Sequence, residues 1–187
     1  MIIVTGGAGF IGSNFILKFL EASNENLMNL DNLSYAANLN NLKTIDSDPR
    51  YSFTKINIQN QSEVEAIVKE VKPRAILNFA AESHVDRSIE GPESFINTNI
   101  LGTYSLLEAA LNYWNDLDES GKKIFRFFHI STDEVFGSLD INDKKSTEES
   151  SYKPNSPYSA SKAASDHLVR AWHHTFKLPT LVSNCTN

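Results

Sequence analysis

Ser131-Thr132-Asp133-Glu134 follows an apolar run over residues 124–130, and Tyr158-Ser159-Ala160-Ser161-Lys162 follows a proline-flanked turn. Tyr158 and Lys162 are four positions apart, so on a helix their side chains share a face. An ammonium beside a phenol favours the phenolate and draws its pKa from about 10 towards the working range, which makes the pair a proton acceptor. Asp133 and Glu134 add two carboxyls. Neighbours in a straight strand diverge, so both serve one pocket only if the chain turns there, as Gly137 soon after permits. Two juxtaposed carboxyls hold different protonation states, because one ionised group opposes ionisation of the other. A simple dehydrogenation needs one proton acceptor, whereas an elimination coupled to hydride transfer needs a further acid and a further base. Read blandly, the Tyr/Lys pair is a chance helical spacing and the two carboxyls are a solvated turn; other segments decide between these readings.

The segment that raises the chemical reading is Thr5-Gly6-Gly7-Ala8-Gly9-Phe10-Ile11-Gly12, lying between an apolar strand and the first helix. Gly6, Gly9 and Gly12 have the spacing that allows a tight turn, close backbone approach to a pyrophosphate and close helix–strand contact, with helix-terminal amides facing the anion. Asp31 closes the second strand, where a carboxylate accepts hydrogen bonds from ribose hydroxyls. It would repel a 2′-phosphate and no arginine stands beside it, so NAD is expected rather than NADP. Asn78-Phe79-Ala80-Ala81 offers small side chains at the fourth strand end, in the same crevice. In this context Lys162 is also placed to hold the nicotinamide ribose.

These residues need a scaffold. Apolar runs at 1–4, 26–30, 51–54, 74–78, 124–130 and 180–183 alternate with segments of helical periodicity at 63–71, 95–114 and 157–176. That rhythm implies an α/β fold, a doubly wound, Rossmann-type parallel sheet with right-handed crossovers. Gly102 interrupts the stripe of the 95–114 helix and calls for close packing or a bend. Pro157 suits the first helical position, with Ser156 as cap. Residues 116–122 and 138–151 read as surface loops.

A chain of 187 residues with 41% hydrophobic and 21% charged residues is that of a globular domain. The net charge of −6, without a basic block, argues against a nucleic-acid partner. Cys185 is the only cysteine, so no intrachain disulfide exists and a cytoplasmic location is the default. Met1 leads straight into a strand, and no run of 18 apolar residues suggests a membrane span. His84, His129, His167, His173 and His174 lack metal-ligand spacing and read as surface or packing residues; no metal is expected.

Over essentially its whole length the chain resembles the dTDP-glucose 4,6-dehydratase family of the extended short-chain dehydrogenases/reductases. The resemblance rests on the glycine loop, Asp31-Asn-Leu-Ser-Tyr-Ala-Ala-Asn38, Asn78-Phe-Ala-Ala-Glu-Ser-His-Val-Asp-Arg-Ser88, Thr98-Asn99, Ser131-Thr-Asp-Glu-Val-Phe-Gly137 and Ser156-Pro-Tyr-Ser-Ala-Ser-Lys162. The glycine loop and Tyr/Lys pair mark only the superfamily; the Thr-Asp-Glu triplet is narrower. The resemblance implies that Tyr158 takes the sugar 4-hydroxyl proton, aided by Thr132 and Lys162. It implies that Glu134 removes the C5 proton and Asp133 protonates the departing 6-hydroxyl. It further implies coenzyme contacts at Asn32, Ser34, Asn57, Ile58, Ser83 and Asn99, and substrate contacts at Ser83, His84, Asp86 and Asn187. A homodimer through the helices at 95–114 and 157–176 and a nucleotide-sugar domain after Asn187 also follow from it, so residues 1–187 are expected to be the NAD-binding domain with its Tyr/Lys helix. The family usually has lysine, threonine and glycine where this chain has Asn32, Ser34 and Ala37, and many relatives have aspartate at Asn57.

Two other readings remain: a sugar-nucleotide 4-epimerase or decarboxylase with the same Tyr/Lys machinery, and a catalytically incomplete NAD-binding fragment. Asp133 and Glu134 separate the first from a dehydratase, since epimerisation needs no acid at C6 and no base at C5.

Overall fold

The computed structural model describes residues 1–140 and 142–186. In chain order its strands are β1 (Ile2–Thr5), β2 (Leu27–Asp31), β3 (Tyr51–Lys55), β4 (Ala75–Asn78), β5 (Arg126–Thr132) and β6 (Thr180–Cys185). They pair in parallel in the order β3-β2-β1-β4-β5-β6, the doubly wound arrangement expected from the sequence. Its helices are α1 (Phe10–Ala22), α2 (Gln61–Val71), α3 (Val85–Glu90), α4 (Pro92–Phe95), α5 (Thr103–Asp116), α6 (Glu119–Ile124) and α7 (Pro157–Phe176).

Strand side chains alternate between faces, and the core divides accordingly. Ile3, Leu30, Ile76 and Phe127 point into a cluster completed by Val64 and Val68 of α2, Leu106, Leu107 and Ala110 of α5, and Val169 of α7. Ile2, Val4, Leu27 and Leu77 face the opposite way, onto Ile16 and Leu20 of α1. Each fully buried side chain of this size contributes about 1.5–3 kcal/mol, so the sheet is fixed from both sides and its carboxyl ends are held rigidly where the chemistry must occur.

Three local features differ from simple expectation. The long helix spans α4 to α5 through a π segment, Ile96–Gly102, whose wider turns shift the side-chain phase ahead of α5. At Gly102 a β-carbon would stand 2.7 Å from Ile58 Cδ1, so the glycine serves close packing. Residues 116–122 are not wholly loop: Asp118 accepts from the Gly121 N–H at 2.7 Å and caps α6. This helix also takes Ile124, so β5 starts only at Arg126. α7 opens as expected, with Pro157 in its first turn and a reciprocal Ser156–Ser159 capping box.

Candidate active site

The carboxyl ends of β1, β2, β4 and β5 surround a cavity of about 520 Å³. Gly6, Gly9, Phe10, Ile11 and Gly12 line its floor, and Asp31, Asn32 and Ser34 line the side beyond β2. Ile58, Phe79, Ala80, Ala81, Ser83 and His84 form the opposite wall, with Tyr158 and Lys162 at the far end. Sixteen sequence positions widely separated along the chain thus converge on one cleft.

The glycine loop fits an anion. Gly6 has φ +70, and a β-carbon there would fall 2.5 Å from Ala80 N, so the β1 turn lies directly against the β4 turn. Gly9 is the N-cap of α1 and makes no side-chain cap. The first-turn amides of α1 are therefore left for a ligand at the positive end of the helix. Asp31 accepts from Ala8 N–H at 2.9 Å through Oδ2 and from Leu33 N–H at 2.8 Å through Oδ1. Each carboxylate oxygen keeps a second lone pair, so the same group that ties the glycine loop to β2 can still accept from a ribose. These features fit a dinucleotide with its pyrophosphate at α1.

The rim is formed by two loops that touch. The Tyr35 ring lies 5.6 Å from that of His84, and the Arg87 guanidinium stands 3.7 Å above it. Glu82, which lines the same wall, is raised by burial against the opposing pull of Arg87, Tyr35 and His84.

At the end of β5 the chain turns as two converging carboxyls require. Thr132 Oγ1 accepts from the Glu134 N–H at 3.2 Å and caps a 3-10 turn, Asp133–Phe136, which Gly137 closes at φ +95. Thr132 Oγ1 lies 3.5 Å from Asp133 Oδ1. Glu134 is raised above the usual carboxylate range by burial and by the Asp133 charge. Thr132, Asp133 and Glu134 adjoin the cavity at Tyr158, and both carboxylates act on its phenol.

The tyrosine differs from expectation. Burial, then the Glu134 charge, push the Tyr158 phenol up to about 12, with Thr132 the one group drawing it back. The Lys162 ammonium donates to the Ile130 carbonyl at 2.7 Å and stands 3.4 Å from His129 Nε2. Its own pKa falls to about 8 through burial.

Besides Thr132, Asp133 and Glu134, which adjoin the cavity without lining it, three further expected contacts lie outside the lining. Asn57 is exposed and its Oδ1 accepts from Gln59 N–H at 3.0 Å, forming a turn between the lining residues Ile56 and Ile58. Asp86 is exposed on α3. Asn99 is buried in the π segment, where it holds both backbone groups of Glu82 and donates to Ser161 Oγ at 2.8 Å. Asn187 lies outside the described residues. Sequence reasoning passed over Ala36, Ile56, Glu82 and Thr98 as lining residues, although all lie within two positions of ones it had singled out; Ala37, noted there as a departure from the family's glycine, also lines the cavity. It also treated His129 as ordinary packing; alternation along β5 puts His129 on the same side as Ser131, which was the available signal.

The family model described as GDP-mannose 4,6 dehydratase matches residues 3–187. A dTDP-glucose 4,6-dehydratase of Haemophilus influenzae is 52% identical over 186 residues, which are 100% of this chain and 55% of that protein. The structure of dTDP-glucose 4,6-dehydratase from Bacillus anthracis in complex with NAD superimposes with a TM-score of 0.86 at 42% identity, covering 100% of this chain and 54% of the other. That of DesIV, a dTDP-glucose 4,6-dehydratase from Streptomyces venezuelae solved with NAD bound, gives 0.89 at 41% identity, covering 98% and 55%. The chain spans about half the length of the curated relatives it matches.

Proposed function

The chain belongs to the GDP-mannose 4,6-dehydratase family, and from that membership we propose that it is the cofactor-binding part of an NAD-dependent dehydratase that converts dTDP-glucose to dTDP-4-keto-6-deoxyglucose. The observation that carries this reading beyond a generic dehydrogenase is the turn at Thr132, which brings the Asp133 and Glu134 carboxyls to the Tyr158 phenol.

On this reading, Gly6, Gly9, Phe10, Ile11 and Gly12 hold the pyrophosphate, and Asp31, Asn32 and Ser34 hold the adenosine ribose. Ile58 and the turn Phe79–Ala81 flank the adenine and the bridging phosphates, while Lys162 holds the nicotinamide ribose. Asn99 acts indirectly, by fixing Glu82 and the wall of which Ser83 is part. When bound, NAD⁺ would supply a hydride acceptor for C4 and a hydride donor for C6.

Tyr158, oriented by Thr132, removes the proton of the sugar 4-hydroxyl. With a carbonyl at C4 the C5 proton becomes acidic, and Glu134 is assigned by family likeness as the base that removes it. Asp133 delivers a proton to the 6-hydroxyl, which leaves as water. Ser83, His84, Asp86 and Asn187 are assigned to the sugar side by family likeness. The nucleotide-sugar domain is assigned to sequence beyond these residues.

A homodimer is part of the same proposal. Leu101 and Tyr104 of the long helix and Phe176 of α7 are exposed apolar side chains, and Tyr104 packs edge-on against Trp172 at 5.8 Å. This shared outer face of α5 and α7 supports pairing between two copies. No described helix is long and apolar enough to cross a membrane. We place the enzyme in the cytoplasm, with nucleotide sugars rather than nucleic acids as partners.

The test is the double substitution Asp133→Asn with Glu134→Gln in the full-length protein. Water elimination is expected to stop while C4 oxidation remains measurable; unchanged elimination contradicts the roles given to Asp133 and Glu134, and a wild type that oxidises C4 without eliminating water leaves the epimerase chemistry.

A further inference from the structure

Beneath the cavity lies a polar cluster that the reaction steps above do not use. Asp166, one turn along α7 from Lys162, is 3% exposed. Its Oδ2 accepts from Ser131 Oγ at 2.8 Å, from the Tyr152 hydroxyl at 2.9 Å and from Asn184 Nδ2 at 3.4 Å. Its Oδ1 is buried, and among the described residues no donor reaches it in hydrogen-bonding geometry. Three donors on one oxygen fix the carboxylate as an anion and fix its direction; the other oxygen is left to be balanced by charge.

His129 stands between this oxygen and Lys162, with Nε2 at 3.4 Å from Asp166 Oδ1 and 3.4 Å from Lys162 Nζ. Its tautomer follows from the chain behind it. Thr5 Oγ1 donates to Asn78 Oδ1 at 2.7 Å, so Asn78 Nδ2 is the donor facing His129 Nδ1 at 3.1 Å. Nδ1 therefore accepts and the neutral ring carries its hydrogen on Nε2. An Nε2–H opposite an ammonium is donor against donor. Among the described residues Lys162 thus has one acceptor, the Ile130 carbonyl, and no hydrogen-bonded anion to sustain its charge.

We propose that Asp166 is a positioning residue acting through Lys162: its carboxylate is the buried counter-charge that keeps the ammonium cationic and directed at the Ile130 carbonyl, with neutral His129 separating the two so that no proton passes between them. The titratable groups facing Lys162 are Asp166 from its own helix, His129 from β5 and Cys185 from β6, with Tyr158 at the same end of the cavity. Burial drives Lys162 downward and Asp166 is the largest influence against that fall, ahead of Cys185. Tyr152 extends the arrangement to the surface: it belongs to the segment before α7, and its ring packs 4.8 Å from that of His167. The meaning of this charge for catalysis rests on the dehydratase reading, in which Lys162 must hold a ribose hydroxyl and present a cation near Tyr158.

The experiment follows the ¹³Cε resonance of Lys162 against pH in the intact protein, wild type and Asp166→Asn. The amide keeps the shape and still accepts from Ser131, Tyr152 and Asn184, but removes the charge. The Lys162 midpoint is expected to fall by about one pH unit or more, and the alkaline limb of kcat to move down with it. A folded Asp166→Asn protein whose Lys162 titrates as in wild type overturns the proposal. If that variant does not fold, the wild type decides alone: the Asp166 ¹³Cγ resonance is expected to step at the Lys162 midpoint, and a flat Asp166 signal there overturns the counter-charge. These titrations need neither cofactor nor substrate, so an active wild type with uncoupled Lys162 defeats only this proposal, whereas coupled titration in a protein that oxidises no nucleotide sugar defeats only the dehydratase reading.

Discussion

Asn99 of the π segment donates to Ser161 Oγ of α7 at 2.8 Å while gripping Glu82 N–H and C=O at 2.9 and 3.0 Å. One buried amide therefore ties the cavity wall after β4 to the helix that carries Tyr158 and Lys162. Asn99→Leu leaves the Glu82 peptide groups without these partners, at a cost of about 1–3 kcal/mol for each group that stays buried. A lower midpoint in urea unfolding is expected, together with weaker dinucleotide binding; an unaltered midpoint contradicts the role.

Buried His129 ties stability to pH. Desolvation, reinforced by the Lys162 charge, takes its pKa from 6.5 to about 4. Between those values the unfolded chain binds the proton and the folded chain does not, so stability is complete above about pH 6.5 and declines as pH falls towards 4. The full effect is about 3 kcal/mol at 1.36 kcal/mol per unit. His129→Gln is expected to flatten the denaturant-measured stability between pH 6.5 and 4 relative to wild type. An identical slope in both proteins contradicts the buried neutral imidazole.

Much of this was legible in the chain. Apolar runs bounded by turn residues located all six strands, because parallel strands covered on both faces must be apolar on both. The glycine loop and the Tyr158/Lys162 spacing marked both ends of the cavity for the same local reason. What sequence did not reveal depends on tertiary direction. Asn99 and Asn57 look alike as polar residues at expected coenzyme positions, yet the π segment turns one inward as a brace and an Asx turn leaves the other exposed. The direction of the Lys162 ammonium is likewise tertiary: spacing gives a face shared with Tyr158, whereas the Ile130 carbonyl fixes where the ammonium donates.

Gly6 cannot carry a side chain without moving β4. Gly6→Ala meets the Ala80 backbone at 2.5 Å and adds the left-handed penalty of about 1–2 kcal/mol. Dinucleotide affinity measured by calorimetry is expected to drop at least about tenfold, which corresponds to 1.4 kcal/mol. Gly91→Ala, whose β-carbon meets nothing nearer than Arg87 O at 4.0 Å, is the control and is expected to bind normally.

The Glu134 carboxylate is, after burial, the main cause of the high Tyr158 pKa. Glu134→Gln is therefore expected to lower the phenol midpoint, read as phenolate absorbance against a Tyr158→Phe reference. A midpoint that stays in place means that the two side chains do not share a site.

Deuterium placed at C4 of dTDP-glucose follows the hydride itself. With the full-length enzyme, the label is expected on the C6 methyl of the 4-keto-6-deoxy product, transferred within one active site by the machinery at Thr132, Asp133, Glu134 and Tyr158. Label retained at C4, or lost to water, would contradict the proposed dehydratase.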